Sequence, residues 1–175
     1  MSTTPTTDAG ASATTLVLAV GTPLMGDDGL GVAVLDRLRE WDWPSGVALV
    51  DGETWGMRLL PYVEDARRLL VIDAIDVGAP PGSIVSLDGA EVPRRLDTRL
   101  SSHEVNLADV LALAALRGTG PTELCAMGAQ PLRIEFGATL SPAIAALVDT
   151  VADLARAQLA AWGLAGRAIA ETAGA

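Results

Sequence analysis

In 175 residues the chain has no lysine and only one each of histidine, cysteine, phenylalanine and tyrosine. Each scarcity excludes something. A lone Cys125 can form neither an internal disulfide nor a multi-cysteine metal site, and within Leu124-Cys125-Ala126-Met127 it reads as a small core residue. Arginine is the only basic side chain, and 12 basic against 22 acidic residues leave a net charge of −10. Without clustered positive charge, neither nucleic acid nor an anionic membrane is an expected partner. No apolar run approaches the ~20 residues that a membrane span requires. The start, MSTTPTTDAGASATT, lacks the basic and apolar regions of a secretory signal and reads as a disordered leader, so the cytoplasm is the expected compartment. With so few rings, the core has to be aliphatic. Half of the residues are apolar, mostly Ala, Val and Leu, enough for one domain with a sizeable interior.

The apolar residues fall into short runs separated by turn residues. Thr15–Val20, Val47–Val50, Leu69–Ile72, Ser83–Leu87 and Glu123–Met127 read as five strands, most of them apolar throughout. Helical spacing places a first helix over Gly29–Glu40 (Leu30, Val34, Leu35, Leu38) and a short one over Met57–Ala66. A third opens at Ser101–Glu104, with Ser102 and Val105 bracketing its N-cap, and a long closing helix covers Ser141–Ala161. Residues 88–102 read as a loop. Strands alternating with helices predict an α/β fold: a three-layer sandwich with a twisted, mostly parallel five-stranded sheet between helices. The expected organisation is a leader over 1–14, a single domain over 15–162 and a frayed tail over 163–175.

In such sheets ligands sit beyond the carboxyl ends of the strands. Asp27 and Asp28 follow the first strand in GTPLMGDDGLG, Asp51 the second, and Asp73 and Asp76 the third. His103 lies in the loop before a helix returning to the same edge. The spacing Gly21-x-x-x-x-Gly26 suggests a phosphate loop, but adjacent carboxylates without Lys would repel a phosphate. G-x-G-x-x-G and G-x-S-x-G are both absent. A two-carboxylate acid/base pair stays open. The reading with fewest conflicts is a divalent metal site of two carboxylates and one imidazole, a donor set suited to Ni²⁺ or Zn²⁺. Each aspartate also has a plainer reading as a cap or turn residue, assigned here to Asp27 on the first helix.

GTPLMGDDGLG, DGETWG, VIDAIDVGAPPG, SSHE and GAQP, in this order and at these separations, resemble the hydrogenase maturation endopeptidases from about Leu16 to Leu147. The resemblance implies removal of a C-terminal peptide from a [NiFe] hydrogenase large-subunit precursor after nickel insertion. It implies metal contact by Asp28, Asp73 and His103, with the nickel supplied by the precursor. No Ser, Cys or Thr nucleophile is needed, and Asp73 is a candidate general base. Since imidazole binds metal only when neutral, activity is expected to fall in mildly acidic solution. Two positions depart from the family pattern: Thr22 stands where Asn is usual, and Glu53 turns the usual Asp-Gly-Gly-Thr into Asp-Gly-Glu-Thr. The alternative from another class is a non-catalytic nickel-binding or docking protein for hydrogenase assembly.

Overall fold

The computed structural model describes residues 15–53, 55–96 and 106–169. In chain order the strands are β1 (Thr15–Ala19), β2 (Trp41–Asp42), β3 (Val47–Asp51), β4 (Arg68–Ala74), β5 (Ile84–Asp88), β6 (Glu123–Ala129) and β7 (Arg167–Ala168). The helices are α1 (Leu30–Arg39), α2 (Leu60–Asp65), α3 (Glu91–Leu96), α4 (Leu107–Leu116), α5 (Pro142–Ala145) and α6 (Val148–Ala161). Tight 3-10 turns at Pro23–Gly29 and Gly56–Leu59 lead into α1 and α2.

The expected α/β sandwich is present. The main sheet runs β3-β1-β4-β6-β5, with all neighbours parallel except the β5–β6 pair. Strands β1 and β4 are covered on both faces, which is why TLVLA and LLVI are apolar without alternation. Edge strand β5 alternates exposed and buried residues instead, with Val85 and Leu87 inward. Leu16, Leu18, Leu69 and Val71 pack under the layer formed by α2, α3 and α4. Val17, Leu70, Ile72, Cys125 and Met127 face the layer of α1 and α6. Single strands thus feed both interiors by the twofold alternation of their side chains.

Four local readings are corrected. The polar stretch 88–102 contains α3, whose Val92 and Leu96 are buried against the sheet; its arginines line the outer side of a helix only six residues long. Helix α4 begins at Leu107, later than the expected start, and is capped by Asn106 in a reciprocal box with Asp109; Ser102 and Val105 lie outside the described residues. Ser141 does cap the closing helix, but that helix breaks after one turn, at Ala146–Leu147, before α6 begins. The Trp-Asp-Trp-Pro segment ends α1 as expected, the Trp43 indole N–H donating to the Leu38 carbonyl at 2.8 Å. There Trp41–Asp42 pairs antiparallel with Arg167–Ala168, within the stretch read as tail. The leader lies outside the described residues. Among the described residues no helix is long and apolar enough to cross a membrane.

Candidate active site

The carboxyl ends of β1 and β4 lie side by side, with Ala19 opposite Ile72 and the Val20 amide donating to the Ile72 carbonyl at 2.9 Å. From here β1 leads to α1 on one face and β3 to α2 on the other, the kind of parting of connections beside which open sheets bind their ligands. The candidate aspartates sort themselves around it.

Asp28 is buried at the start of the rim, at 6% exposure, and its Oδ2 accepts the Thr22 amide at 2.7 Å. That contact requires Gly21: with φ at 96°, a side chain there would stand 2.2 Å from the Asp28 carbonyl and 2.9 Å from its carboxylate. The glycine both turns the chain and lets the carboxylate approach it. Thr22 contributes its backbone N–H to Asp28 and its hydroxyl as the N-cap of the following turn, accepting from Leu24. The departure from Asn at this position therefore leaves the amide contact intact.

Asp73 is 2% exposed near the end of β4. By strand alternation it follows Val71 and precedes Ile75, both packed on the α2–α4 side. It pairs in register with Gly128, where a Cβ would collide with the Asp73 carbonyl at 1.7 Å. A glycine on the neighbouring strand is thus a condition of Asp73's position. Asp73 is thus buried near the end of β4, and Asp28 is buried in the turn that follows the adjacent strand β1. Among the described residues no trio of His, Cys, Asp or Glu gathers as a metal site; the third expected member, His103, lies outside the described residues.

The other rim acids have structural work. Asp51 accepts the Glu53 amide at 3.1 Å in a local turn, and Glu53 itself has φ at 41°. That left-handed backbone suits glycine, the usual residue of the resembled motif, far better than glutamate. Asp76 accepts from the Gly78 amide and from the Gln130 side chain. Those bonds, Gln130 foremost, hold its carboxyl below the ordinary value, against a smaller upward push from burial. Gln130 also accepts the Val77 and Ala79 amides at 2.8 and 3.1 Å. Its role, signalled only by the GAQP motif, is to clip the loop after β4 to the end of β6.

Asp27 overturns its reading as a helix cap. Its Oδ1 accepts the Ser141 amide at 2.6 Å. Its Oδ2 accepts the Leu132 amide (2.9 Å), the Arg133 amide (3.0 Å) and the Ser141 hydroxyl (3.0 Å). Burial pushes this carboxyl up, but the combined bonds from Ser141, Arg133 and Leu132 outweigh it and hold the group below its ordinary value. All four donors lie more than 100 residues away in sequence. No periodicity could announce them.

The match to known proteins is consistent with this architecture. The family model described as hydrogenase maturation protease matches residues 32–158. The chain belongs to that family. It is 38% identical over 152 residues to a hydrogenase expression/formation protein (HupD) of Rhodobacter capsulatus, covering 85% of this chain and 72% of the relative. It is 32% identical over 151 residues to the hydrogenase 2 maturation protease of Escherichia coli, covering 85% and 92%. The solved hydrogenase-maturating endopeptidase HybD of E. coli superposes with a TM-score of 0.82 at 31% identity, over 87% of this chain and 96% of that one. As a hydrogenase maturation endopeptidase the protein is a hydrolase of peptide bonds, and the non-catalytic alternative is set aside.

Proposed function

We propose that the protein removes the C-terminal extension of a [NiFe] hydrogenase large-subunit precursor once nickel has been inserted, reading the precursor-bound metal through Asp28, Asp73 and His103. The observation that carries this reading is the burial of Asp73 near the end of β4 and of Asp28 in the turn that follows the adjacent strand β1. Two carboxylates held at one rim favour a cation, and carboxylate with imidazole is a donor set for a borderline first-row ion. Nickel is then substrate rather than resident cofactor. Its contact with the rim makes proteolysis a checkpoint: a precursor without nickel docks poorly and stays whole.

In the hydrolysis itself a water oxygen bonds to the scissile carbonyl carbon, the C–N bond breaks, and the water's proton ends on the departing amine. Asp73 is the candidate to take that proton and return it. Nearly buried, it would work in a site with little competing water.

The test is incubation of nickel-loaded precursor with the wild type, Asp28→Asn and His103→Ala, followed on a gel with and without nickel. The wild type shortens only the loaded precursor, and both variants lose most of that activity. Full cleavage by both variants refutes the metal contacts, and equal cleavage of nickel-free precursor refutes the checkpoint.

A further inference from the structure

The chain's only phenylalanine is not in the core. Phe136 is 83% exposed, in the segment Pro131–Leu140 between β6 and α5, and Leu132 (55%) and Ile134 (45%) are exposed beside it. The stretch Leu-Arg-Ile-Glu-Phe alternates apolar and charged residues, as a strand does, although it belongs to neither sheet.

Its backbone explains the alternation. The Glu135 amide donates to the Met25 carbonyl at 3.2 Å and the Gly137 amide to the Leu24 carbonyl at 2.8 Å. The Arg133 carbonyl accepts the Asp27 amide at 3.1 Å, and the Arg133 amide donates to the Asp27 carboxylate. Residues 133, 135 and 137 therefore bond inward to the glycine loop. The amide and carbonyl of Ile134 and the carbonyl of Leu132 have no partner among the described residues. One side of the segment is pinned, and the other presents these open groups beside the exposed side chains of Leu132, Ile134 and Phe136. Gly137, at φ 76°, then closes a turn from Glu135 to Ala138 with Phe136 at its tip.

We propose that Leu132–Phe136 is a docking edge for an extended stretch of the substrate polypeptide, bound by strand addition. The open Ile134 amide and carbonyl and the open Leu132 carbonyl can pair with another extended backbone, and the alternate apolar side chains take apolar residues of that peptide. The edge is tied to the proposed site through the chain: Asp27, whose carboxylate pins it, is the neighbour of Asp28. Leu24, 64% exposed on the same loop, extends the apolar surface. The occupant is thus the substrate chain beside the scissile bond, and the inference rests on the endopeptidase reading above.

The experiment is steady-state cleavage of nickel-loaded precursor by the wild type, the double variant Ile134→Ser/Phe136→Ser, and Ile134→Pro. The proline deletes the outward N–H and keeps apolar bulk. KM should rise about tenfold or more in the double variant and several-fold in Ile134→Pro, with kcat within about twofold of wild type. Unchanged thermal midpoints verify that the folds are intact. Wild-type KM in both variants overturns the proposal. So does a concentration-dependent wild-type dimer that Phe136→Ser disperses, because the edge then belongs to a second copy. If the wild type leaves the precursor whole, the functional reading fails and the docking edge falls with it. Full cleavage by both Asp28→Asn and His103→Ala refutes the metal contacts and leaves the KM comparison standing.

Discussion

Replacing Asp27 by Asn separates two roles by magnitude. As a simple cap on α1, Asp27 would contribute about 1 kcal/mol. As the anchor observed, it accepts four hydrogen bonds in a buried site. Asparagine keeps the shape but removes the charge, which roughly halves the strength of the bonds it can still accept. It also turns an NH2 toward at least one existing donor, and a buried donor left unsatisfied costs about 1–3 kcal/mol. Together these predict a loss on the order of 3–4 kcal/mol, or roughly 10 °C in Tm for a domain of this size. Urea and thermal unfolding measure the loss, and hydrogen exchange locates it: protection should fall in 131–141 rather than in the first turn of α1. The pH dependence adds a check. Because folding holds this carboxyl below its ordinary value of 3.8, its stabilisation is full above that value and is lost as pH falls through the lower folded value. The gap between wild type and Asp27→Asn should therefore be constant near neutrality and narrow in acid below 3.8. A loss near 1 kcal/mol with fraying confined to α1 would refute the anchor and restore the cap.

Gln130→Leu removes the clip between the two loops, and a loss of about 2 kcal/mol is expected from three hydrogen bonds. The Asp76 carboxyl, relieved of its first cause of depression, should titrate closer to its ordinary value by NMR; an unmoved titration would show that Gly78 alone holds it. Cys125 is buried, and burial, then the charges of Asp88 and Glu123, push its thiol up to about 12. Native protein at pH 8 should resist iodoacetamide while urea-unfolded protein is alkylated, and rapid native labelling would contradict that burial.

The sheet was legible in the sequence because its cause is local. TLVLA and LLVI are apolar throughout, and they lie inside a sheet covered on both faces. The strand-end rule points to the aspartates after β1 and at the end of β4 because it depends only on the order of the strands. Helix α3 was hidden because only Val92 and Leu96 face inward, too few for a helical period to stand out among arginines. The early end of α5 was hidden too, since Ala146 and Leu147 carry no glycine or proline to announce a break.

Sequence by itself determined the α/β class, the carboxylate-bearing rim and the family resemblance, since each depends on neighbouring residues or ordered motifs. Tertiary structure alone decided what the two adjacent aspartates do. Asp28 meets the Thr22 amide six residues back, whereas Asp27 reaches more than 100 residues forward to pin Leu132, Arg133 and Ser141. A carboxylate's role is set by the donors that folding brings to it, and those donors lie beyond the range of any local pattern.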